Sequence, residues 1–152
     1  MSENHMSPLW KTLIWSFVVF FVVFYPMLIS IYVFLPLMIG LMGYVLIVGI
    51  DRSKMSYVVV GLVYLINLEV NLSLPLFLTI LTAVLYYITI YPHLHVFKKC
   101  KVCIPLLSVM FIDLIYFIML LGFDMIFGES SIVIDQLLFY SLIADMLVVF
   151  IL

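Results

Sequence analysis

Val60–Gly61–Leu62–Val63–Tyr64–Leu65–Ile66–Asn67–Leu68–Glu69–Val70–Asn71–Leu72–Ser73–Leu74–Pro75 lies near the middle of a chain that is otherwise almost unbroken hydrocarbon. Asn67, Glu69, Asn71 and Ser73 take every second position, with Leu68, Val70, Leu72 and Leu74 between them. Strict alternation is a sign of extended backbone, yet the apolar run before it is long enough for a membrane helix. The reading that accommodates both is a helix that reaches the far face of a bilayer, ends near Glu69 and turns back at Pro75. A plain polar turn between two spans is the simpler alternative. A turn at a membrane surface must satisfy its backbone with water or polar side chains in either case.

Composition sets the class. The chain is 68% hydrophobic and 9% charged, with a mean hydropathy of +1.43. An ordinary soluble domain is about 25% charged. The 152 residues have room for about six or seven spans of roughly 20 residues and little else. The expectation is one all-α, polytopic membrane domain covering residues 1–152. Met1–Trp10 is polar, and the apolar run after it lacks a small-residue cleavage pattern, which reads as an uncleaved anchor.

Working outward from the central stretch, the chain divides into six spans. Leu13–Ile50 is about twice the length one span needs, and Pro26 and Pro36 interrupt it. The first span is Leu13 to Tyr25, extending toward Ser30, and the second is Val33 to Ile50. The hinge Asp51–Arg52–Ser53–Lys54 leads to span three, Met55 to Leu68. Span four is Leu76 to Tyr91, span five Val102 to Phe123, and span six Ile132 to Leu152. Between the last three lie a basic loop, Pro92 to Lys101, and an acidic loop, Asp124 to Asp135. No internal repeat or low-complexity linker stands out. Gly40, Gly43 and Gly49 suggest a small-residue face on span two for close helix packing.

Charge distribution tests this division. With six spans, Lys11, Arg52, Lys54, Lys98, Lys99 and Lys101 all fall on one side, while Glu69, Asp124, Glu129 and Asp135 fall on the other. A single span over Leu13–Ile50 would separate Lys11 from the other cations. The positive-inside rule therefore favours six spans with both termini in the cytoplasm. Trp10, Trp15, Tyr25, Tyr57 and Tyr91 sit near span ends, as interfacial aromatics do.

Asp113 and Asp145 each lie inside an apolar run. A carboxylate at such depth costs about 2.5–3.5 kcal/mol on insertion scales, so it faces protein or water rather than lipid. Counted from Ile104 and Leu152, their depths agree within about 3 Å at 1.5 Å per residue, so the two can share one site. No Lys, Arg or His occurs in any span to pair with them. Three readings stay open: a proton or cation site, interhelical hydrogen bonding with Ser108 or Ser141 as companions, and contact with a polar residue of a partner helix.

His93, His95, Cys100 and Cys103 form H-x-H-x4-C-x2-C, a set of zinc-competent ligand types. Lys98, Lys99 and Lys101 crowd it with positive charge, so a basic loop beside anionic headgroups is the preferred reading. No metal or cofactor is expected, and the thiols of a cytoplasmic loop are expected to be reduced. The chain contains no H-E-x-x-H, G-x-S-x-G or P-loop motif. Its single Arg and His-free spans argue against an enzyme acting on lipid phosphates, and it has no basic surface for nucleic acid.

The span order resembles that of MreD, the small multispanning component of the bacterial rod-shape system. The resemblance rests on a Trp-containing first span, then Ile31–Tyr32–Val33–Phe34–Leu35–Pro36 leading into span two and a basic hinge. It continues with Gly61 and the acidic Glu69 in span three, and Phe111–Ile112–Asp113–Leu114–Ile115 in span five. The third span has Gly61 alone where the family is Gly-rich, and Glu69 where Asp is usual. The resemblance implies a fold similar to the membrane subunits of energy-coupling vitamin transporters. It also implies a non-catalytic scaffold role in cell-wall elongation, with MreC-like and RodA-like partners. The alternative from another class is a small transporter or substrate-binding membrane subunit, using Asp113 and Asp145 for coupling or Glu69, with Asn67 nearby, for ligand capture. A hydrated chamber at the aspartates would mark the transporter; tight packing and an apolar groove would mark the scaffold.

Overall fold

A computed structural model of the protein describes residues 8–32, 34–94, 102–128 and 132–151, and of 132–135 the backbone alone. Seven helices, and no strand, occur among the described residues: α1 (Pro8–Ile31), α2 (Ile39–Asp51), α3 (Met55–Asn71), α4 (Leu78–Thr89), α5 (Tyr91–Leu94), α6 (Cys103–Phe127) and α7 (Ile132–Ile151). Six of them fall on the six apolar runs. The seventh, α5, is a single turn at the end of α4. Two helices, α1 and α6, are long and apolar enough to cross a membrane; α2, α3, α4 and Gln136–Ile151 are shorter apolar helices.

The boundaries depart from expectation at α1, which starts at Pro8 rather than Leu13, at α6, which runs through Asp124 to Phe127 inside the expected acidic loop, and in three further places, each with a local cause. The alternating stretch is helical through Asn71, not extended. Wound at 3.6 residues per turn, Asn67 and Asn71 share one face and Glu69 points the opposite way. What looks like strand alternation is one helix with polar groups on two faces, each of which has a partner. α3 then stops in a Schellman arrangement: Leu74 N–H donates to the Glu69 carbonyl at 3.0 Å and Ser73 N–H to Val70 at 3.4 Å, with Ser73 left-handed at φ 53°. The same device ends α2, where Lys54 donates to Gly49 at 2.8 Å and Ser53 has φ 52°. Serine fills both positions usually given to glycine.

Second, α2 begins at Ile39 rather than Val33. Pro36 supplies no N–H and disfavours helix at the residue before it, so the described link residues 34–38 stay non-helical. Third, α1 runs unbroken through Pro26, for a reason found on α3.

α2 is the central helix, packed against α3, α4, α6 and α7, whereas α1 lies outside against α3. Close approach around α2 depends on the small residues anticipated there. A Cβ on Gly43 would lie 3.0 Å from Ile112 Cγ2, and one on Gly49 would lie 2.8 Å from the Val58 amide nitrogen. Gly61 closes the seam from α3, with a Cβ there 2.9 Å from Leu46 Cβ. Tyr64, Tyr86, Tyr116, Ile47, Leu68 and Ile112 are fully buried at the centre. The outer faces are apolar too: Phe17, Phe20, Val59, Ile88, Ile118 and Phe150 all stand exposed.

Opposite ends of the bundle differ in character. Tyr91 hydrogen-bonds Asp51, which puts the 51–54 hinge and the residues after α4 at one end. At that end Lys54 Nζ sits 5.5 Å above the Tyr57 ring. At the other end Leu37, Leu72, Leu74, Tyr116, Leu137 and Leu138 enclose a cavity of about 60 Å³, uniting both interhelix links with the start of α7. Arg52, Lys54 and His93 thus share the end opposite Glu69; Lys98, Lys99, Lys101 and Glu129 lie outside the described residues.

Candidate functional site at the helix starts

α2 and α4 are the shortest of the six main helices, and both begin without a cap of their own. Met38 precedes α2 at φ 52°, and Phe77 precedes α4 at φ 68°, both left-handed and neither making a side-chain cap bond. Bulky left-handed residues are rare, and the first amides of a helix need acceptors. In both cases a carboxylate from another helix supplies them.

Glu69 serves α4. Its Oε2 accepts from Phe77 N–H at 2.8 Å, and its Oε1 from Thr79 N–H at 2.7 Å and the Thr79 hydroxyl at 2.8 Å. The side chain is 0% exposed. A carboxylate held by three donors at a helix N-terminus is well compensated for its burial.

The start of α2 is held from four helices. Tyr25 on α1 donates to the Pro36 carbonyl at 3.0 Å, and Tyr64 on α3 to the Leu37 carbonyl at 2.9 Å. From α7, Ser141 Oγ accepts from Leu37 N–H at 3.0 Å. One turn on, Asp145 Oδ2 accepts from Gly40 N–H at 3.1 Å and Leu41 N–H at 3.4 Å. From α6, the Asp113 carboxyl packs directly against Gly40. Tyr25 stands six residues before the end of α1, about 9 Å along the axis at 1.5 Å per residue. The link after α1 therefore folds back into the bundle, where non-helical backbone is tolerated because protein groups satisfy it.

Asp113 and Asp145, paired by depth in the sequence, thus meet at Gly40. A Cβ on Gly40 would lie 2.6–2.8 Å from the Asp113 carboxyl atoms, so only glycine admits both side chains. Of the two serines considered as companions, Ser141 is at this site. Ser108 instead accepts from the Tyr86 hydroxyl at 2.7 Å and donates to the Ile104 carbonyl.

Asn67 has a different task. Pro26 has no N–H to give the Val22 carbonyl one turn back. Asn67 Nδ2 donates to that carbonyl at 3.2 Å and to Val23 at 3.0 Å, while Asn71 Nδ2 braces Asn67 through its side-chain oxygen at 2.7 Å. This repair lets α1 continue through proline. Asn67→Leu is expected to cost about 1 kcal/mol, and less in a Pro26→Ala background, where the helix supplies its own N–H. A double-mutant cycle by denaturant unfolding in micelles measures the difference; equal costs in both backgrounds would separate Asn67 from Pro26.

Of the groups holding α2, Tyr25 was legible in the sequence only as an interfacial aromatic, and Tyr64 carried no signal of its own. One signal pointed to the shared design of the helix starts: Leu35–Pro36–Leu37–Met38 and Leu74–Pro75–Leu76–Phe77 are the same four-residue pattern. Each ends on a left-handed residue, and each is followed by amides seeking a distant carboxylate.

Half of the histidine–cysteine set, His95 and Cys100, lies outside the described residues. His93 is exposed on α5. Cys103 is disulfide-bonded, in contrast to the reduced thiol expected there. Among the described residues no group of three or more His, Cys, Asp or Glu is placed to hold a metal ion.

Fold and site define an all-helical bundle whose buried acids serve its own helix starts. No known protein family, curated protein or solved structure matches the chain.

Proposed function

We propose that this protein is a multi-pass inner-membrane scaffold, a non-catalytic subunit of a cell-wall elongation complex of the MreD type. In this reading six helices cross the bilayer, both termini are cytoplasmic, and MreC-like and RodA-like membrane proteins are its partners. The carrying observation is where the interior polar groups go. Asn67, Glu69, Ser141 and Asp145 all bind this chain's own backbone, an internal use of polar side chains that favours a rigid framework over a transport path.

Two further features support it. The outer faces of the helices are apolar, as a lipid-facing surface requires. Val19, Val22, Val23, Val59, Val60 and Val63 line an apolar groove of about 180 Å³ between α1 and α3, a shape suited to a helix of another membrane protein. Pro36, Gly61, Glu69 and Asp113, which carry the resemblance, all act in building the bundle.

Depletion in the native host tests the proposal, with cell width and reciprocal pull-down of MreC-like and RodA-like proteins as readouts. Loss of rod shape together with co-purification is the expected result. Unchanged shape with no co-purification overturns the scaffold reading.

A further inference from the structure

We propose that Asp113 and Asp145 bind a single proton between them, as a carboxylic acid–carboxylate pair built into the start of α2. The inference stands independently of the scaffold role and concerns the ligand of a site that the capping bonds leave incomplete. Asp145 is 0% exposed and Asp113 6% exposed. Each keeps one buried oxygen with no hydrogen-bond partner: Oδ1 of Asp145 and Oδ2 of Asp113. Both carboxyls contact the same residue, Gly40. Unsatisfied acceptors on two acids that meet at Gly40 call for a donor, and a proton held between them is the smallest one.

Among the described residues no group bonds either free oxygen, and the one other unpartnered buried group, the Tyr116 hydroxyl on α6, has Glu69 as its charged neighbour. The titratable side chains facing the pair are Tyr25 from α1 and Tyr64 from α3, and their hydroxyls already donate to the carbonyls of Pro36 and Leu37. Ser141, one turn away on α7, spends its oxygen on Leu37 N–H. From α2 only backbone faces the pair. Arg52 and Lys54 lie past the far end of that helix, roughly 18 Å away at 1.5 Å per residue. Charge balance points the same way. A helix N-terminus carries about half a positive charge, which suits one negative charge on the pair and not two. A cation placed between the carboxylates would face that same positive end. A proton adds no volume to a site where a single Cβ on Gly40 would already collide.

Infrared spectroscopy of the full-length protein in lipid nanodiscs tests this, with carboxyl-¹³C aspartate to identify the bands. At neutral pH the wild type is expected to show one carboxylic-acid C=O stretch that moves with the label. That band is expected to vanish entirely in Asp113→Asn and in Asp145→Asn alike. In each variant the amide N–H replaces the shared proton and leaves the remaining acid ionised. Size exclusion and helical content check that the variants are folded; should either fail, the labelled wild type alone still decides. Absence of an acid band with sodium-dependent melting at constant ionic strength overturns the proton in favour of a bound cation. Absence of the band without sodium dependence also overturns it. So do two acid bands, each removed by one variant, which would mean two independent protonated acids.

Discussion

Glu69→Ala is expected to lose about 2–6 kcal/mol of stability, because two of the three donors it strands are buried at about 1–3 kcal/mol each. Thr79 N–H and the Thr79 hydroxyl lie inside the bundle at the start of α4, with Phe77 N–H only partly covered. No side chain of α4 itself caps that end, so nothing local replaces the carboxylate. Set against a typical total of about 5–15 kcal/mol, the loss is large enough to cut the yield of folded protein. Glu69→Gln provides the graded control. Its oxygen keeps both Thr79 bonds, but its NH₂ faces the Phe77 N–H and one bond is lost. The expected order is wild type, then Gln, then Ala, measured by SDS titration in mixed micelles followed by circular dichroism. Equal stability of Glu69→Ala and wild type would mean that α4 is capped some other way.

Asp145→Leu is the second large effect. It removes the acceptor for the buried Gly40 N–H, at about 1–3 kcal/mol, and for the Leu41 N–H, which is only partly covered and adds less. Asp145→Asn retains an oxygen for those amides and is expected to stay within about 1 kcal/mol of wild type, the net value of an ordinary hydrogen bond. Asp113→Leu tests the asymmetry of the pair. Asp113 assists at Gly40 without serving Leu41, and its loss is expected to cost about 0.6–1.7 kcal/mol, the range for interhelical bonds in membranes. The same titration ranks the three variants. If Asp113→Leu proves the more damaging of the two leucine variants, α6 rather than α7 carries the start of α2.

The amino-acid sequence by itself determined the linear features of the protein. Apolar run length located the six main helices, with α1 starting earlier, α6 ending later and α2 delayed by Pro36. Rise per residue brought Asp113 and Asp145 to one depth, and Gly40, Gly43 and Gly49 marked the helix that others approach closely. All of these are positions along an axis, which local hydropathy and helical rise encode. Tertiary structure alone decided directions around the axis. Helices apolar on every side carry little periodic signal to say which face turns inward. The sequence therefore could not direct Asn67 to the gap at Pro26, Glu69 to the start of α4, or Tyr64 to the Leu37 carbonyl. Nor could it place Met38 and Phe77 in left-handed backbone, a conformation that a bulky residue adopts only when surrounding bonds hold it there. Those bonds come from α3 for Phe77 and from α1, α3 and α7 around Met38, so the conformation exists only once the bundle has closed.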